Sequence, residues 1–352
     1  VGMAIMAGTA NVLFYVFMPV IPELMRMPPD VAEFGRQYLQ TLLLGFTFNL
    51  LNFHIFSLSR SSGNAMFPTT VLVSTVLLNA AIAPFLIFGI GPFPEMGMQG
   101  AGLATAISQI SGTVISLVAI ARGKTNLRFD FSQFRLDADL LLRVVKQGLP
   151  ASLQMLAVSV NRAFIFMMVG AFGTSATAAY TLGLNVDMMV FMTVFAVGIA
   201  VQTAAGQNLG AGKPERVGAF FRSAALQLTV LMTSLAVVVW LFGQGFIAAY
   251  TRSEVTITAA TEYLHITVFG YVFFAVGVVA VRVISGAGAS ILAMVITAGS
   301  LIGIQLPLCY LLSHTAGMGP TGIWIGVAAG YSIFCAIAYA VFRDGRWIRS
   351  SV

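Results

Sequence analysis

Charge is scarce in this chain. Asp, Glu, Lys and Arg together make up 9% of its residues, against about 25% in a typical soluble domain. So few charges could not cover a water-facing surface, so the solvent for most side chains must be lipid. The net charge of +6 is therefore no sign of a nucleic-acid partner; its distribution follows the membrane instead. Histidine (3) and cysteine (2) are rarer still. Cys309 and Cys335 lie inside apolar stretches and are expected as free, packed thiols rather than a disulfide or a metal site. No Asp or Glu occurs from Gly148 to Phe172, nor from Tyr263 to Phe342.

What is abundant is hydrocarbon, at 58% hydrophobic residues. Spans of ~20 apolar residues are the unit to count. Ten are expected, over residues 1–25, 35–58, 66–90, 97–121, 140–171, 175–206, 216–243, 257–284, 289–313 and 319–342. The fold class is an all-α polytopic membrane protein. Several spans begin or bend at proline (Pro19, Pro84, Pro150 and Pro307), which a bundle tolerates when neighbours satisfy the freed carbonyls.

The polar run from Arg122 to Lys146 interrupts this hydrocarbon. It carries six of the eighteen Lys and Arg residues. Alternating the loops between two sides puts fourteen basic residues on the side of this run and three (Arg26, Arg36 and Arg252) on the other. The excess of Lys and Arg marks the cytoplasmic side, so the strap over 122–139 and the C-terminus are expected there.

A repeat is visible at an offset of 225. Tyr38-Leu39 matches Tyr263-Leu264, and Gly45, Phe48 and Gly63 match Gly270, Phe273 and Gly288. After a three-residue slip, Met96-Gly97 and Gly100 match Met318-Gly319 and Gly322. The offset crosses an even number of spans, which relates the copies by an axis along the membrane normal, as in some secondary transporters. Val1 corresponds to Leu226, so the expectation is ten helices of a twelve-helix protein, with the first two absent.

After the sixth span comes G-Q-N-L-G-A-G-K-P-E-R-V, Gly206 to Val217. With Gly148-Leu149-Pro150, Gly173, Ala178-Ala179 and Gly286-Ala287-Gly288, it resembles the multidrug and toxic compound extrusion (MATE) family across essentially the whole chain. The resemblance implies a two-lobed exporter at the bacterial inner membrane. It would be monomeric and free of cofactors, expelling organic cations and drugs against H⁺ or Na⁺ by alternating access. The lobes would be 1–121 (four helices, incomplete) and 140–352 (six helices), joined by 122–139. The family's NorM-like branch carries carboxylates in its seventh and tenth helices, where this chain has none. The chain looks closer to the DinF-like branch, whose coupling aspartate lies in the first helix, outside this sequence.

Charges within spans are costly and default to functional hypotheses. Arg162 and Asp187 lie about twelve residues before and thirteen after the turn near Gly173. At 1.5 Å per residue they share a membrane depth to within roughly 3 Å. Either they pair, which is a structural answer, or one or both face the transport cavity. Gln154, Asn161 and Arg162 share a helical face, Asn185 stands beside Asp187, and Asn49, Asn52 and Phe53 share a face of the second span. Amides among aromatic rings suit an amphipathic cation but equally suit helix–helix hydrogen bonds. Six methionines (155, 167, 168, 188, 189 and 192) fall in one hairpin, as adaptable lining or as packing. Gln207, Asn208 and Gly210 form either a helix cap or a cytoplasmic gate. Arg282 is expected to snorkel to the cytoplasmic surface.

Two other functions compete. A lipid-linked saccharide flippase would need several cations for its diphosphate, and Arg162 alone qualifies. A membrane enzyme would need a nucleophile, base or metal constellation at depth, and no His or Cys cluster accompanies Asp187.

Overall fold

A computed structural model describes residues 2–20, 29–127 and 138–351. The described residues form helices joined by short turns, with no strand. The chain divides into two compact units, residues 1–136 and 137–352.

The first unit holds α1 (Gly2–Phe17), α2 (Pro29–Ser61), α3 (Met66–Phe88) and α4 (Gly97–Ala121). The second holds α5 (Ala138–Gly170), α6 (Thr174–Gly210), α7 (Pro214–Ala248), α8 (Glu254–Gly286), α9 (Ser290–Thr315) and α10 (Gly319–Asp344). Nine of these are long and apolar enough to cross a membrane, and α1 contributes a shorter apolar helix, Ala7–Phe17. Lipid offers backbone groups no partners, which is why every apolar run closes its own hydrogen bonds as a helix.

In the first unit α4 runs between α2 and α3, and α1 packs on α2. Small residues set the approach: a Cβ on Gly45 would stand 2.5 Å from the Cα of Ala106, so only glycine permits this crossing. Uncharged side chains supply the interhelical hydrogen bonds. Asn11 donates to Leu43 O (2.9 Å) and to Thr47 Oγ1 (2.8 Å). Thr113 donates to Phe48 O at 3.1 Å, and Asn79 to Thr105 Oγ1 at 3.3 Å.

In the second unit α8 is the axle, the most buried of the spans, with α6, α7 and α10 around it. Ser253 caps α8, accepting from the backbone N–H of Thr256 at 3.4 Å. The predicted proline bends fall inside α3 (Pro84), α5 (Pro150) and α9 (Pro307), while Pro19 follows the end of α1. Two stretches of α9, Gly299–Gln305 and Leu311–Thr315, are π-helical and flank the turn that contains Pro307. A proline has no N–H to donate, and widening the backbone ladder beside it is a common adjustment in membrane helices. Cys309 and Cys335 are free thiols, the first buried.

The repeat is present as contacts, not only as letters. Gly45 against Ala106 recurs as Gly270 against Ala328, and Gly100 against Leu86 O recurs as Gly322 against Leu312 O. The N–H of Met96 donates to Leu86 O at 3.0 Å, and that of Met318 to Leu312 O at 3.2 Å.

Candidate functional site

The chemistry of the second unit gathers around Asp187, on α6 and 3% exposed. A carboxylate buried in a membrane bundle needs donors, and two tyrosines of α8 supply them. The Tyr263 hydroxyl donates to Oδ2 at 2.5 Å and the Tyr271 hydroxyl to Oδ1 at 2.6 Å. Eight residues separate the tyrosines, roughly 12 Å along the helix axis, so they reach the carboxylate from either side. Gly183 makes this possible: a Cβ there would lie 2.2 Å from the Tyr263 ring. Trp324 and Tyr180 meet that ring edge-on, with centroids at 4.8 and 5.6 Å.

Beside the carboxylate lies a cavity of about 10 Å³, lined among others by Asn161, Arg162, Tyr180, Asp187, Phe191 and Tyr331. That is room for about one water molecule. Arg162 and Asp187 thus share a cavity, as their common depth suggested, but they form no ion pair. Arg162 instead lies on the face of Phe191, Cζ to centroid 4.0 Å, and donates to the Met188 sulfur at 3.5 Å. The hydrogen bonds to the carboxylate come from the two tyrosine hydroxyls, and of the two alternatives the direct ion pair does not form.

The other candidates sort into different surroundings. Asn161 is 4% exposed and donates to Gln305 Oε1 at 2.9 Å, and Gln305 donates in turn to Val327 O at 3.0 Å. Gln154 donates to Thr297 Oγ1 at 2.9 Å. Seven residues before it, Gln147 donates to Gly288 O at 2.8 Å and accepts from Ser290 Oγ at 2.7 Å. Gln147, Gln154 and Asn161 are thus a seam tying α5 to α9 and the turn before it. Asn185 is exposed and donates to Thr181 O, one turn back, at 3.2 Å. In the first unit Asn52 is buried and donates to Gln109 O at 2.9 Å, while Asn49 and Phe53 are exposed. The face predicted to carry all three is therefore split between packing and surface.

Gln207 and Asn208 end α6 through their carbonyls, accepting from Ala211 N (3.0 Å) and Lys213 N (2.8 Å). Gly210 closes the helix and is exposed, while Gly212 takes the left-handed φ of 69° that the turn requires. Arg282 does not sit as a surface cation. It is half-buried, donates to Gln202 Oε1 at 3.2 Å and lies over the Phe195 ring at 5.0 Å. Of the six methionines, Met155, Met167, Met188, Met189 and Met192 are exposed.

Sequence reasoning passed over Tyr263, Tyr271, Gly183, Phe191 and Phe195. One usable signal was present. A glycine one turn before a buried aspartate, with hydroxyls two turns apart on a later span, fits a carboxylate bound between two helices.

A family model, MatE, matches residues 1–85 and 150–311. The chain is 26% identical over 326 residues to the "Probable multidrug resistance protein YoeA" of Bacillus subtilis, covering 92% of this chain and 70% of that protein. It is 24% identical over 326 residues to the "Probable multidrug resistance protein NorM" of Thermotoga maritima (92% and 69% covered). A third relative, the "FAD transporter" of Shewanella oneidensis, is 25% identical over 282 residues (77% and 62%). In fold the chain matches the crystal structure of the Vibrio cholerae MATE transporter VcmN in the bent form. There the TM-score is 0.89 at 22% identity, covering 99% of this chain and 77% of that one. With the family model spanning most of the sequence and the helical architecture agreeing, the chain belongs to the MatE family of multi-pass membrane transporters, which are not enzymes.

Proposed function

We propose that this protein is a secondary active exporter of amphipathic, drug-like organic compounds, organic cations being the class implied by the MATE resemblance. Inward flow of H⁺ or Na⁺ drives it, and Asp187 takes part in the coupling. The names of the drug-resistance relatives support the drug-export reading. The observation that carries it is a carboxylate buried among apolar helices, held by two hydroxyls and beside a water-sized cavity.

The chemistry follows from donor counting. An ionised carboxylate only accepts, so both tyrosines donate to it. Once protonated, Asp187 has a hydrogen to place, and one tyrosine must turn its own hydroxyl away to accept it. A sodium ion at the carboxylate would likewise displace a donor. Either event changes the ties between α6 and α8, and a packed interface answers such a change by switching rather than by flexing. In this reading 1–121 and 140–352 act as the two lobes, 122–139 and the C-terminus face the cytoplasm of a bacterial cell, and one copy suffices. The membrane parts of α5 (from Gly148) and α8 (from Tyr263) carry no acid, which supports a DinF-like rather than a NorM-like assignment, while Asp187 on α6 matches the carboxylate position of neither branch.

The test is uptake of ethidium into everted membrane vesicles under an imposed pH or Na⁺ gradient. Gradient-driven ethidium movement by the wild-type protein is expected, with Asp187→Asn at least tenfold slower at matched expression. Wild-type vesicles that fail to respond to either gradient would reject the reading.

A further inference from the structure

Along the surface of the second unit, α7 and α8 leave a groove in which two depressions follow one another. One is apolar, about 550 Å³, and lined among others by Val237, Trp240, Leu241, Phe269 and Phe273, all exposed. The other, towards the α7–α8 turn, is polar, about 340 Å³, and lined among others by Gln244, Thr258, Glu262 and His265. Trp240 and His265 mark the place where they adjoin: the imidazole Nε2 donates to Trp240 O at 3.1 Å, and the rings stand 5.4 Å apart.

Glu262 gives the polar end its charge. Thr321 of α10 donates to its Oε1 at 2.5 Å, and no cation pairs with it among the described residues. Gln244 stands across the groove, exposed. From Glu262 to Phe273 is eleven residues, roughly 16 Å along the helix axis. The hydrocarbon of one leaflet is about half of a ~30 Å core. The groove therefore has the length of one acyl chain and ends at a carboxylate at head-group level. A carboxylate accepts from an ammonium, and an amide N–H donates to a phosphate. A head group that carries both charges meets a partner for each at this end.

We propose that this groove binds a membrane phospholipid whose head ends in a primary amine. The ammonium sits on Glu262, the phosphate lies beside Gln244, and an acyl chain runs along Trp240, Phe269 and Phe273. A primary ammonium brings three N–H donors to the carboxylate; a choline head brings the charge without a donor, and a glycerol head brings neither. The site is separate from Asp187, and the proposal does not depend on the exporter reading.

The tryptophans give a direct readout. Of the three in the chain, Trp324 and Trp347 are buried and Trp240 is exposed in the groove, so a quencher carried on an acyl chain reports on Trp240. The purified protein is reconstituted in phosphatidylcholine vesicles containing an equal share of acyl-brominated phosphatidylethanolamine, phosphatidylcholine or phosphatidylglycerol. The ethanolamine lipid is expected to quench most, with a relative binding constant roughly threefold that of the choline lipid, the scale of an exposed ion pair. Glu262→Gln should bring it down to the choline level and leave quenching by the choline lipid unchanged. Trp240→Phe should remove the dependence on head group altogether. Equal quenching by the three lipids in the wild-type protein would overturn the proposal without need of any variant, and so would stronger quenching by the glycerol lipid. A preference for ethanolamine that survives either substitution would overturn it too. Tetraphenylphosphonium that relieves the quenching would make the groove a site for organic cations instead.

Discussion

At the crossing of α2 with α4, Gly45 lies against Ala106; at the crossing of α8 with α10, Gly270 lies against Ala328. Around these matched contacts the two units diverge. Where the first has Phe46, Gly102, Gln109 and Gly112, the repeat offsets give the second Tyr271, Trp324, Tyr331 and Phe334. At one position the sizes are exchanged: Asn52 faces Gly112 in the first unit, and Gly277 faces Phe334 in the second. The first interior is joined by neutral amides and hydroxyls, the second by an aromatic cage around one carboxylate. Duplication preserved the backbone crossings and left the side chains between them to diverge, so chemistry could accumulate in one copy without disturbing the frame of either.

The sharpest way to break this comparison is to strike the shared frame. In Gly45→Ala the new methyl meets backbone, which cannot yield, so a loss of about 3 kcal/mol is expected. Thermal unfolding in detergent would read it. Removing what only the second unit has comes next. Tyr271→Phe installs the residue that the first unit carries at that place, so size is tolerated. It also strips Asp187 Oδ1 of its donor, at about 2 kcal/mol for a bond to a charged group, with slower gradient-driven export. Gly270→Ala should cost about 1 kcal/mol, less than Gly45→Ala, because its Cβ meets a Tyr331 side chain at 3.0 Å and Ala328 Cα at 3.2 Å rather than backbone at 2.5 Å. A larger loss for Gly270→Ala than for Gly45→Ala would contradict the packing described for these crossings. The smallest effect belongs to Asn52→Leu, at about 0.6 kcal/mol, with export unchanged; a strong export defect there would place chemistry in the first unit as well.

Much of the frame was legible in the sequence. Nine of the ten apolar spans fall on helices whose ends lie within a few residues of those expected, because lipid leaves an apolar run of that length little choice but helix. The first span, expected over 1–25, is helical over Gly2–Phe17, and residues 21–28 lie outside the described ones. Asp187 and Arg162 stood out because a charge in hydrocarbon is costly and needs a reason, structural or functional. Their relation did not, since depth says nothing of azimuth: α8, 76 residues away, brings the hydroxyl that reaches the carboxylate first. Tyrosines in an apolar helix look like packing until that neighbour is known. The π-helical turns of α9 were invisible because a change from i→i+4 to i→i+5 bonding alters no residue type.

Coupling at Asp187 is tested most directly by comparing two modes of transport in the same Asp187→Asn vesicles. Equilibrium exchange of ethidium across the membrane needs binding and the conformational cycle but no gradient, whereas uphill accumulation needs the coupling group. The account predicts that the variant keeps exchange and loses accumulation under both pH and Na⁺ gradients. Accumulation at the wild-type rate would contradict it and leave Asp187 as a packing residue between α6 and α8.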